Sequence, residues 1–315
     1  MGKIHVTPRT LVAVLCLIGG TMPLQAQVAR TTFPHLSTRA DTIVQAEVTS
    51  TDHDDYVRRV TFLVESTIKG ESAGALILSE ANTRACGEVL HGLSVGAKCL
   101  IFLEGSVSGP RLAMGSPQSL VTDPEVQAHV RGMLSAKTTA ETLSLLSGAL
   151  TSRSAGVRQD AALSLSLMLD LGRASAADHE RIVSALASSL GEEDLVALSL
   201  IRTAARLNIS EAVDILVPHY LSGRSAVLKD VLLDAIPNLD SVRALALVST
   251  QTPQDIRGQT RAVELLQRFG RTESTAPLRR LEESRSPVVS GMAERALSEG
   301  PVRKRFRSIL RHRER

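Results

Sequence analysis

Three rhythms of apolar and polar positions follow one another along the chain. Residues 11–18, Leu-Val-Ala-Val-Leu-Cys-Leu-Ile, are apolar without interruption. From Ala40 to Ser119 the apolar positions alternate: Val44, Ala46, Val48, then Val60, Phe62, Val64, then Leu76 and Leu78, with a fuller run at Leu100-Ile-Phe-Leu103. Period-two alternation broken by turn residues at 52–55, 70–74 and 105–110 predicts antiparallel strands. About five or six short strands predict a small barrel of the OB type, because closure removes exposed sheet edges.

From Thr139 to Gly300 the period lengthens to that of helices, and helix pairs recur. The turns within pairs fall at Ser152-Arg153-Ser154, Gly191-Glu192-Glu193, Gly223-Arg224-Ser225, Thr252-Pro253-Gln254 and Ser284-Arg285-Ser286, with steps of 39, 32, 29 and 32 residues between their centres. First helices carry Leu143, Leu146 and Leu150, or Ile182, Ala185 and Leu186, or Leu278 and Leu281. Second helices open on Val157, Leu195, Val227, Ile256 and Val288, and continue apolar at helical spacing. One helix pair cannot bury its apolar face alone, so such periodicity predicts a stacked solenoid. Asp123-Pro124 is placed to cap and open a connecting helix toward Leu134. The expected fold is therefore α+β with two domains. It comprises a signal peptide (1–26), a linker (27–39), a β-barrel (40–119), a connecting helix (120–138), helical repeats (139–300) and a basic tail or capping helix (301–315).

Composition narrows the function. Lys3 and Arg9 before the apolar run, and Leu24-Gln25-Ala26 after it, form the three regions of a secretory signal, too short for a membrane span. The protein is expected to be exported, to a periplasm or the medium. Of the formal +3, the first 26 residues hold +2 and the last 15 hold +6, leaving −5 between them. The basic balance thus belongs to the ends. Aromatics are 2% with no Trp, which leaves little surface for stacking nucleic-acid bases.

Candidate chemistry is sparse. An oxidising compartment favours a disulfide between Cys86 and Cys99, ahead of two free thiols or a metal site that His91 would join. Residues 51–55, Thr-Asp-His-Asp-Asp, bring three carboxylates together without the glycine and distal glutamate of a calcium loop, and read as a solvated hairpin connection. No nucleophile with its base, phosphate loop or His-x-x-x-His pair is present, so no catalytic residue, metal or cofactor is expected. His179, Glu180, His219 and Tyr220 are scattered over different repeats. Arg202, Arg206 and Lys229 are placed to line a partner-binding face of the array. The tail residues Arg303, Lys304, Arg305, Phe306 and Arg307 suit a cap on the array or contact with anionic lipid.

Two resemblances accompany these patterns. Ala40-Asp41-x-Ile43-Val44-x-Ala46-x-Val48, Ile68-Lys69-Gly70, Ala85-Cys86-Gly87 with Leu90 and Gly92, and Leu100–Leu103 resemble the netrin-like barrel of tissue inhibitors of metalloproteinases. That resemblance implies an OB-type fold. The inhibitors' zinc-chelating amino-terminal Cys is missing, since no Cys precedes Cys86 once residues 1–26 are removed. Val157-Arg158, Ile256-Arg257 and Ala276-Pro277-Leu278-x-x-Leu281 resemble HEAT repeats. The turn aspartate of that family is absent from most copies, and Val288 is followed by Val289 where it has Arg. The repeat array, together with the lack of a catalytic constellation, leads us to expect a non-enzymatic protein that binds a protein partner in the envelope or outside the cell, with no nucleic acid. The alternative is a protease inhibitor acting through the barrel. The export reading predicts that the mature protein recovered from its native host begins at Gln27; an intact-mass measurement that retains Met1 would sink it.

Overall fold

The computed structural model describes residues 31–53, 57–81, 89–106, 109–168, 171, 174–224 and 226–299. The expected signal, Cys86, Asp54 and Asp55, Ser225, and the tail with Arg303, Lys304, Arg305, Phe306 and Arg307 lie outside them. The described residues from Thr32 to Glu299 form one compact unit.

Six strands make one antiparallel sheet: β1 (Thr42–His53), β2 (Val57–Lys69), β3 (Ala75–Ala81), β4 (Lys98–Glu104), β5 (Arg111–Leu112) and β6 (Leu120–Val121). Their order is β3-β2-β1-β4-β5, with β6 also on β4. The register sets Val44 opposite Ile101, Ala46 opposite Cys99, Val48 opposite Phe62 and Val60 opposite Leu78. The alternating residues therefore share one buried face, closed over by Leu90 and Leu93. The expected barrel is corrected to an open sheet. Among the described residues β3 forms an edge that pairs only with β2, and the two-residue β5 and β6 share the far edge of β4.

Burial of the second face replaces closure. Around β1 and β4, Ile43, Leu100 and Phe102 pack against Phe33, Leu36, Val126, Val130 and Val157. Phe33 and Leu36 belong to α1 (Phe33–Arg39), in the stretch expected as linker. Thr32 caps α1, its Oγ1 accepting from the His35 amide at 3.3 Å, with Pro34 in the first turn. At its other end the Lys69 ammonium donates to the Ser37 and Ala40 carbonyls at 2.7 and 2.6 Å. Gly70 then turns at φ +74°, where a Cβ would lie 2.3 Å from the Asp41 carbonyl oxygen.

The helical region begins with α2 (Pro124–Ser135), capped by Asp123 as its sequence indicates. Five pairs follow: α3 (Thr139–Ala149) with α4 (Ala155–Leu167), α5 (Ala176–Ser189) with α6 (Asp194–Leu207), α7 (Val213–Ser222) with α8 (Lys229–Leu239), α9 (Ser241–Gln251) with α10 (Ile256–Leu266), and α11 (Arg271–Glu282) with α12 (Pro287–Glu299). Each turn read from the sequence separates the two helices of a pair. One continuous Leu, Ile, Val and Ala core runs from Leu143 to Ala296.

Polar ties join neighbouring pairs. Arg158 holds the Ser152 and Arg153 carbonyls of its own turn and pairs with Glu193 of the next. Asp178, buried in the first turn of α5, accepts from Ser147 Oγ at 2.6 Å and Ser175 Oγ at 2.7 Å, and pairs with Arg181. Burial alone would raise its pKa, but the two hydroxyls, the Ser175 amide and Arg181 outweigh burial and hold it below the usual carboxylate value. A lowered folded pKa contributes stability above the unfolded value, and that stability is lost as pH falls through the folded one. Asp178→Asn is expected to cost about 2–3 kcal/mol at neutral pH, with the difference from wild type shrinking below about pH 4. Urea unfolding of both proteins at pH 7 and pH 3 checks this; equal stabilities at pH 7 would refute it.

Candidate functional site

The residues that open the second helices divide in an unforeseen way. Val157 is buried beneath the sheet, but Leu195, Val227, Ile256 and Val288 are 57%, 70%, 58% and 61% exposed. Each of the four stands three residues past the centre of its turn. In three of them the next residue enters the core instead: Val196, Leu228 and Val289. In α10 the next residue is Arg257, and Gly258 is the first to be buried. The four recur at one place in successive pairs, beside the turn between the two helices, so the turn edge of each of these pairs carries an exposed apolar side chain.

The edge also carries helix amino termini, whose first amides lack intrahelical partners. No side-chain cap hydrogen bond covers α6 or α8, whereas Asp255 caps α10 through the Gly258 amide at 2.9 Å. Fully burying such an aliphatic side chain is worth about 1.5–3 kcal/mol. A partner covering four of them gains several kcal/mol without disturbing the core. A doubled apolar pair just after the turn, as in Leu195-Val196 and Val288-Val289, was the available signal, since adjacent helical positions cannot both face one core; Val227-Leu228 repeats it in the turn residues before α8.

The expected partner-binding cations lie on two neighbouring helices, α6 and α8. Arg202 and Arg206 lie exposed one turn apart on α6. Arg206 donates to the carbonyls of Ser166, at 2.9 Å, and Met168, closing the end of α4. Lys229, on α8, is tied to Glu264 Oε1 at 2.7 Å. Glu264 also accepts from the buried Tyr220 hydroxyl at 2.9 Å, and the Arg261 guanidinium lies 5.1 Å from the centre of that ring. Burial, together with the Glu264 charge, raises the Tyr220 pKa.

Elsewhere the chemistry is structural. His129 Nε2 and the Phe33 amide hold the two Asp160 oxygens at 3.0 and 2.9 Å. His179 is half-buried and Glu180 exposed, both on α5. Burial, then the Arg224 charge, lowers the pKa of His219 on α7. No group of three His, Cys, Asp or Glu among the described residues is arranged to hold a metal, and none of their helices is long and apolar enough to cross a membrane. A shallow depression lined by Thr42, Glu71, Leu103, Gly105 and Pro110 has Glu71 as its sole titratable group. Cys99 is a free, fully buried thiol on β4, opposite Ala46, and its expected partner Cys86 lies outside the described residues.

Comparison with known proteins returned no matching family model, curated protein or solved structure. Burial pushes the Cys99 thiol up to about 11. With Cys16 and Cys86 replaced by Ser, Cys99 at pH 8 is therefore expected to react with a soluble disulfide reagent about 100-fold more slowly than in denaturant. Equal rates would show that the thiol is accessible.

Proposed function

We propose that this is an exported, non-enzymatic interaction protein whose HEAT-like repeats bind a protein partner along the turn edge. The carrying observation is the set Leu195, Val227, Ile256 and Val288, exposed beside the turns of four successive helix pairs. Single exposed apolar residues are ordinary, but a set that recurs from pair to pair has no role in the core and matches a partner surface. The start of α6, which no side chain caps, adds backbone donors and favours a partner segment with apolar side chains and nearby carboxylates or carbonyls. In this reading the netrin-like sheet is the supporting end of the array. Protease inhibition through the sheet gains nothing from an open sheet edge and a free Cys99.

The test replaces all four side chains, Leu195→Asp, Val227→Asp, Ile256→Asp and Val288→Asp, and compares crosslinked complexes from the native envelope. Since all four are exposed, thermal stability should change little, while partner affinity should fall about 100-fold or more. Identical complexes from both proteins, or none from the wild type, would refute the reading.

A further inference from the structure

Second helices of neighbouring pairs pack on one another at three of the four steps: α4 on α6, α6 on α8, and α10 on α12. At the remaining step α8 and α10 do not form such a seam, and α10 leans on α7 instead. The connection there is also the shortest between pairs. Asp240 alone separates Leu239 of α8 from Ser241 of α9, ending one helix and capping the next through the Arg243 amide at 2.9 Å. Both helices of the preceding pair carry an internal proline, Pro218 in α7 and Pro237 in α8. Each removes a helix hydrogen bond and so softens its helix at this step.

The two sides of the step are held differently. On the first-helix side α9 packs on α7, and the Arg243 guanidinium forks onto both oxygens of Asp214. On the second-helix side two ion pairs span the gap: Lys229 to Glu264 at 2.7 Å, and Arg268 to Asp234 at 3.4 Å. Glu264 is steadied further by the Tyr220 hydroxyl. These side chains are 19–35% exposed, so dissolved salt reaches and screens them. Beneath them Tyr220, Leu221, Leu265 and Leu266 belong to one continuous apolar core.

We infer that the helical region is jointed between its third and fourth helix pairs. It rocks about the α7–α9 seam and the Asp240 pivot, with Lys229–Glu264 and Asp234–Arg268 as straps that keep the α8–α10 side closed. The apolar floor stays packed, so the motion is a change of angle between two rigid bodies and not a local unfolding. The inference stands independently of any partner.

The test places spin labels on the exposed positions Asp230→Cys and Gln254→Cys in the full chain, with Cys16 and Cys86 replaced by Ser and the buried Cys99 retained. A control pair, Gln254→Cys with Arg285→Cys, joins the turns that lead into α10 and α12, two helices packed on each other. Pulsed electron–electron resonance should give a narrow α8–α10 distance distribution in 50 mM NaCl that moves outward and broadens in about 1 M NaCl, where the screening length falls to about 3 Å. Lys229→Met with Arg268→Met should reproduce that shift at low salt, with unchanged far-ultraviolet circular dichroism. The control distance should stay fixed. An α8–α10 distance insensitive to salt, or a control distance that shifts equally, overturns the joint. The salt series on the otherwise unaltered pair decides the matter even if the strap variant fails to fold.

Discussion

The structure depends on the carboxylate of Asp160. It sits on α4, the second helix of the first pair, with a side chain only 7% exposed, and its oxygens are satisfied from two other elements: the Phe33 amide of α1 and His129 of α2. A buried carboxylate without such partners would be costly, so the three elements are held in one arrangement. That arrangement lets Phe33 and Leu36 cover the sheet's second face beside Val126, Val130 and Val157. The sheet and the helical array therefore share a core. The array's first pair is capped by the sheet, and the sheet survives as an open one because the array covers half of it.

At its other end the array is closed by composition. α11 exposes Arg279, Arg280 and Glu282, its C-cap Glu283 is exposed as well, and α12 exposes Glu294 and Arg295. A terminal pair with a charged outer face needs no further element to keep it from stacking on another copy. Between the ends, Ser147–Asp178 and Arg158–Glu193 tie the first pair to the second, Asp214–Arg243 the third to the fourth, and Gln259–Ser284 the fourth to the fifth.

What the sequence made legible follows from how local the cause is. Alternation placed Val44, Ala46, Val48, Val60, Phe62, Leu76 and Leu78 on one buried face, because side-chain direction in a strand is fixed by parity. The five intra-pair turns and the Asp123 cap were likewise written in adjacent residues. Misreadings arose where distant parts decide. α1 is too short to show helical periodicity, and its burial depends on Asp160, 127 positions away from Phe33. Barrel closure depends on which strand edges meet, which alternation does not encode. The exposed apolar set lay one residue out of phase with the core, a difference set by how each second helix rotates as it leaves its turn.

The scarcity of aromatic residues gives the array its mechanics. Within a pair, Ala161, Ala162, Ala197, Ala204 and Ala293 are buried at the contacts, letting helices approach closely with little side-chain entropy to lose. Broad side chains instead mark places where unlike directions meet. Phe33 and Phe102 stack at 6.1 Å between α1 and the sheet, Phe269 is buried between the fourth and fifth pairs, and Tyr220 is buried where α7 meets α10. A small-residue seam resists shear because little volume can rearrange. The four exposed apolar residues straddle the third-to-fourth step between Val227 and Ile256, where α9 and α10 both pack on α7 and the α8 and α10 sides are joined by ion pairs instead of a packed seam.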